Sequence, residues 1–377
     1  MLRYYKDSLI FTALCLGLGA WLGYTTEDSF IGMLGVLWIV VVLGVLEISL
    51  SFDNAVVNAT VLREMSPVWR RRFLTWGILI AVFGMRIVFP LLIVAIAAKL
   101  GPIDAIRLAA TEPETYERYI TAAHTGIAGF GGAFLGMVGL TFFFDEEKET
   151  HWIRLVERPV AGLSRVSGLA IGLVLLALYG ISRLLEAGEA MTFLTSGILG
   201  LLTYIAVEVF NAALEGGEDA GRHHQHGHDA NATAVAARSG LGAFLYLEVL
   251  DASFSFDGVI GAFALSNNLF IIALGLGIGA MFVRSMTVAL TERGTLTQYR
   301  YLEHGAFYAI IALAAIMLLS ARYHIPETIT GLIGAVLIGL SFWASVRANR
   351  ADASGGELTL DDAEPVEPTG ERMTVDR

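Results

Sequence analysis

Ten stretches of this chain are apolar over about the 18 or more residues that a bilayer-spanning helix needs. They run about 8–24, 30–50 (continuing to about 62), 73–98, 124–144, 166–185, 190–213, 241–266, 269–290, 304–321 and 327–346. Hydrocarbon offers no partner to a bare amide, so each spanning segment must satisfy its own backbone, which a helix does. The expectation is an all-α, polytopic membrane bundle of about ten transmembrane helices. Composition agrees, with 55% hydrophobic and 16% charged residues.

Within this apolar background one acidic, serine-rich motif occurs twice. Glu47-Ile48-Ser49-Leu50-Ser51-Phe52-Asp53-Asn54 returns 204 residues later as Asp251-Ala252-Ser253-Phe254-Ser255-Phe256-Asp257-Gly258. An ionisable group at bilayer depth costs roughly 2.5–3.5 kcal/mol on insertion scales, so such groups mark an ion or substrate path by default. Glu47, Ser51 and Asn54 share one helical face, as do Asp251, Ser255 and Gly258. Asp53 and Asp257 lie about 240° round a regular helix from the acids that open each motif. A helix interrupted at each motif is therefore expected, which would also release main-chain carbonyls as ligands.

Carboxylates, an amide and hydroxyls form an all-oxygen donor set, which suits Mn²⁺, Mg²⁺ or Ca²⁺. The candidate metal ligands are Glu47, Asp53, Asn54, Asp251, Asp257 and Glu248, with Ser51 and Ser255 in support. Glu248 precedes Asp251 by three residues on the same face. Two arginines fall inside spans, Arg86 and Arg284. They are read either as counter-ions that hold the bundle together or as an internal cation that replaces the metal when the site is empty. His124 and His304, at span starts, are expected to be hydrogen-bonded residues rather than ligands.

Further residues repeat with the motif. Arg86 follows Gly77 by nine positions and Arg284 follows Gly275 by nine, while Tyr119 and His124 open the fourth span much as Tyr301 and His304 open the ninth. Ten spans divide into five plus five, and an odd number per half inverts the second half, an arrangement typical of secondary transporters. The predicted division is a first repeat over 1–185, a second over 186–346 with a His-rich loop at 215–240, and an acidic tail over 347–377. The tail from Ala351 holds eight acids against Arg372 and Arg377, as a solvated segment would.

Basic residues in the loops set the orientation. Eighteen fall on the side of the N-terminus and five on the other, so both termini are expected in the cytoplasm, with Arg3 and Lys6 preceding a retained first helix. The same rule places His223, His224, His226 and His228 in the cytoplasm, as a metal-collecting loop or a linker with incidental affinity. Cys15 is the lone cysteine, which excludes an intrachain disulfide.

The runs LEISLSFDNAVVNA and LEVLDASFSFDGVIGAFA, the two membrane arginines and HTGIAGFGGAFLGMVGLTFFFDEEK together resemble the TerC superfamily over roughly residues 30–345. More narrowly, they resemble its branch of integral membrane proteins known only as a domain of unknown function. The resemblance implies a helical membrane fold with acids from both repeats at a central site, and an association with manganese export, metal homeostasis and tellurium resistance. Gly258 stands where the first copy has Asn54, so the two half-sites differ.

The expected function is transport of a divalent cation, Mn²⁺ export first, by alternating access in a bacterial plasma membrane. The alternative is a non-transporting scaffold that metallates or assists partner proteins. No nucleotide-binding GxxxxGK[ST] run, HExxH motif or catalytic triad is visible, so neither an ATP-driven pump nor an enzyme is expected. The expected partners are the lipid bilayer, a divalent metal as substrate, and a second copy or an accessory protein; nucleic acid is not among them.

Overall fold

The computed structural model describes residues 2–77, 79–145, 150–161, 168–218, 240–323 and 325–357, and in these it is helical with no strand. The chain begins with α1 (Leu2–Glu27), α2 (Phe30–Leu50), α3 (Phe52–Glu64) and α4 (Pro67–Arg72). The next turns are wound as π-helix, over Phe73–Gly77 and Ile80–Val88, and lead into α5 (Phe89–Ala97). After α6 (Pro102–Thr111) and α7 (Pro113–Ala122) come α8 (His124–Phe143), α9 (Arg154–Ala161), α10 (Leu169–Ser182) and α11 (Ala187–Glu218). The second half holds α12 (Leu241–Ala262), α13 (Leu269–Glu292), α14 (Thr295–Gln298), α15 (Leu302–Ser320) and α16 (Glu327–Glu357).

Local chemistry explains several boundaries. Ser29 caps α2 by accepting the Gly32 amide, and Asn268 caps α13 by accepting the Phe270 and Ile271 amides. Prolines open α4, α6 and α7, where their missing N–H is not needed. Pro90 supplies one cause for the wide turns before α5. It has no N–H to close an α-turn on the carbonyl of Arg86, and its ring crowds that carbonyl; the Phe89 amide bonds instead to Gly84.

All ten apolar stretches are helical. Eight are long and apolar enough to cross a membrane. The other two are α10, with 14 residues, and α12, which carries Glu248, Asp251 and Asp257. Residues 102–122, which the apolar pattern assigns to no span, form α6 and α7. Their Ala109, Tyr116 and Ile120 fill a buried cluster with Val94, Val259 and Phe263. Large apolar side chains on α1, α2, α5 and α16 point outward, among them Trp21, Trp38, Ile96 and Trp343. Such a surface would aggregate in water and is the surface that lipid covers.

Helices α8, α13 and α15 form the buried centre. With α2 and α3 taken as one, these three and three neighbouring segments pack reciprocally. Helices α2 and α3 lie on α13 as α12 lies on the π-wound segment, and α3 lies on α15 as α12 lies on α8. The two central pairs, α8 with α15 and the π-wound segment with α13, pack on each other. Outside these six the reciprocity ends: α1 packs on α2 and α13, whereas α11 packs on α8, α10 and α12.

The expected interruption occurs in one motif only. Between α2 and α3, Ser51 leaves the helical region at φ −99° and ψ 21°. Its N–H still reaches the Glu47 carbonyl at 3.0 Å and its own carbonyl accepts the Ala55 amide at 3.2 Å, while the Asn54 amide turns to the Asp53 carboxylate, so the helix is interrupted at Ser51. In the second motif α12 runs unbroken from Leu241 to Ala262, which corrects the expectation of a matching break.

Candidate functional site

The two motifs meet at an arginine. Arg86, at the end of the π-wound segment, sends one guanidinium nitrogen to Glu47 Oε1 at 2.5 Å and places another 3.8 Å from Asp251 Oδ2. The second nitrogen also donates to the Ala81 carbonyl at 2.6 Å. Asn54 completes the cluster by donating its Nδ2 to Asp251 Oδ1 at 2.7 Å. The four side chains come from α2, the π-wound segment, α12 and α3, and all are buried. Glu47 of the first motif copy therefore joins Arg86, and Asp251 of the second copy joins Arg86 and Asn54, both from the first half of the chain.

Gly258 now has a reason. A Cβ there would lie 3.0 Å from Glu47 Oε2, so the missing side chain gives the first motif's carboxylate its room. Gly279 on α13 does the same for the stem of Glu47, because a Cβ at that position would overlap its Cβ and Cγ. Gly279→Ala is therefore expected to push α2 off α13 and lower stability by about 1–3 kcal/mol, measured as thermal unfolding in detergent. Gly277→Ala on the same helix meets nothing nearer than 3.5 Å and should be close to neutral.

A small cavity flanks the cluster on either side. The first, about 40 Å³, is lined by Asn54, Asn58, Glu248, Asp251, Arg86 and Arg284 among others. The second, about 50 Å³, is lined by Glu47, Ser51, Asp53, Asn54, Gly258 and Thr330 among others. Each has room for a few waters or a partly hydrated ion. Asn54 borders both. The first includes Val283, Arg284 and Thr287 toward the end of α13, and the second includes Thr330 and Gly331 at the start of α16.

Glu248 is the least satisfied group. It is only 8% exposed, and neither carboxylate oxygen has a hydrogen-bond partner among the described residues. The same holds for Asn58 Oδ1 and Ser255 Oγ. Glu47 and Asp251 share the guanidinium of Arg86, whereas Glu248 has no cation within hydrogen-bond distance among the described residues.

The remaining candidates lie apart. Asp53 accepts its neighbour Asn54's amide at 2.8 Å, in the first turn of α3, and its carboxylate faces Gly334 of α16. Arg284 does not join the motif acids: it pairs with Asp7 of α1 at 3.7 Å and donates to the Leu74 carbonyl at 2.9 Å. The Asp257 side chain, His223, His224, His226 and His228 lie outside the described residues. Among the described residues no three His, Cys, Asp or Glu side chains gather as a metal-holding group.

His124 bonds to Ser320 at 3.4 Å, and His304 contacts the Thr150 carbonyl at 2.7 Å and lies 3.5 Å from Glu157, so both are hydrogen-bonded as expected. Sequence reasoning missed Asn58, although it stands four residues after Asn54 on the same face. It also missed Asp7, for which a partner 277 positions away leaves no local signal.

These features define a polytopic helical membrane protein with an ion-paired acidic centre. A family model described as "Protein of unknown function (DUF475)" matches residues 52–352, and the chain belongs to that family. The match includes Asp53, Asn54, Arg86, Glu248, Asp251 and Arg284, and begins after Glu47. No curated protein and no solved structure matches the chain.

Proposed function

We propose that the protein transports divalent cations, with Mn²⁺ the first substrate to test, and that Arg86 is a resident counter-ion which the substrate displaces. The observation that carries this reading is the Arg86 guanidinium held between Glu47 and Asp251, acids from the two copies of the motif. A bundle that needed only a structural clamp would gain more from apolar packing, since buried ion pairs are often no better than well-packed hydrophobic replacements.

Three further observations support it. The donors at the centre are oxygens and an amide, which favour hard divalent ions. The buried Glu248, whose oxygens have no partner among the described residues, is a group that an entering cation would satisfy. The reciprocal packing of six helices fits two inverted repeats, which we assign to 1–185 and 186–346. The TerC resemblance points the same way, toward manganese export and metal homeostasis. In this reading both termini are cytoplasmic, His223, His224, His226 and His228 collect ions there, Asp53 and Asp257 join the ion during passage, and no covalent chemistry is involved.

The test is flux in sealed proteoliposomes carrying a trapped metal-sensitive dye. Saturable Mn²⁺ entry is expected, with Asp251→Asn falling at least tenfold at unchanged protein content. Flux no greater than in protein-free vesicles would overturn the proposal. A stoichiometric partner recovered with such an inactive protein would then favour an assembly scaffold.

A further inference from the structure

Two arginines related by the internal repeat have unlike surroundings. Arg86 is 3% exposed and sits on Glu47 and Asp251. Arg284, 198 positions later, is turned to Asp7, a carboxylate 69% exposed, and its Nε has no hydrogen-bond partner among the described residues. Both arginines nevertheless line the same cavity, together with Glu248 and Asp251.

The asymmetry extends to the helices that carry these groups. In the first repeat the motif helix bends at Ser51 and the arginine segment is π-wound. In the second, α12 is continuous through Ser255, and Arg284 stands on the regular helix α13. Ser255, the counterpart of Ser51, has a buried hydroxyl without a hydrogen-bond partner among the described residues. Bend, wide turns and seated arginine thus occur together in one repeat and are missing together from the other.

We infer that the structure is one of two exchange states, and that Arg284 is the counter-ion of the second. In that state Arg284 leaves Asp7, crosses the shared cavity and seats on Asp251 and Glu248, while Arg86 withdraws and α12 bends at Ser255. A repeat-based carrier reaches its other orientation when its halves trade conformations, and here the trade amounts to one arginine replacing the other. Asp7 is the holder that keeps Arg284 out. This rests on the transport reading and adds to it the residues that set the balance between states.

The experiment follows the distance between spin labels at Arg71→Cys on α4, which leads into the segment bearing Arg86, and Glu292→Cys at the end of α13, both exposed, in a chain with Cys15→Ser. No metal is added. Asp7→Asn removes an exposed pair, so folding is spared, and should shift the ratio of two distance populations about two- to five-fold toward the second state, as loss of a surface ion pair allows. Arg284→Gln should shift it the opposite way; Arg284→Lys, which lacks the guanidinium fork, replaces that variant if it fails to fold. A single distance in every variant, or shifts in the same direction, overturns the exchange. Opposed shifts in a protein without flux would retire the transport reading alone, and normal flux without shifts would retire the exchange alone.

Discussion

Arg86→Met is expected to destabilise the folded protein by about 3–5 kcal/mol, the usual cost of leaving a buried charge without its partner. Methionine fills most of the space of the arginine stem, so the loss is electrostatic rather than a packing defect. Glu47 then keeps no cation within reach, whereas Asp251 retains the Asn54 amide at 2.7 Å. Adding Glu47→Gln should for that reason recover most of the loss, while adding Asp251→Asn should recover less. Equilibrium unfolding in detergent measures each variant. A loss below about 1 kcal/mol for Arg86→Met would mean that the guanidinium is already satisfied elsewhere and that the Glu47 contact contributes little.

Glu248→Met should separate stability from function. A buried polar group with no partner costs about 1–3 kcal/mol, and methionine removes that cost at similar volume. The variant is expected to unfold at a higher temperature than the parent and to carry Mn²⁺ at least tenfold more slowly, as when a group is kept for its function at the expense of stability. Lower stability with unchanged flux would show instead that Glu248 has a structural partner and no part in the path.

The membrane bundle was legible because hydropathy reports the solvent around a helix directly. Its limits appear at α10 and α12, one short and one acidic, and at α6 and α7, whose Tyr116 and Ile120 are buried by tertiary packing that apolar runs do not encode. The spacing of Glu47, Ser51 and Asn54 placed the motif on one face, and the structure sets Glu47 and Asn54 at the same cluster. The repeat paired Arg86 with Arg284 in sequence and implied like surroundings, whereas Arg86 sits on Glu47 and Asp251 and Arg284 pairs with Asp7 of α1. Neither copy of the motif contains that last contact. Equally, Gly258 reads as a difference between the two half-sites in sequence and as clearance for Glu47 in three dimensions.

Helix α10 has one more consequence. Its 14 residues rise about 21 Å, against roughly 30 Å of hydrocarbon, and Leu173, Leu176 and Tyr179 on it are exposed. If α10 alone spans the hydrocarbon, lipids beside it must shorten or tilt to keep their headgroups level with its ends, which would pinch the bilayer on this flank. Each ångström of mismatch stores only a fraction of a kcal/mol. Summed over the gap, it makes acyl-chain length a force on the bundle, and a thinner membrane the more comfortable host.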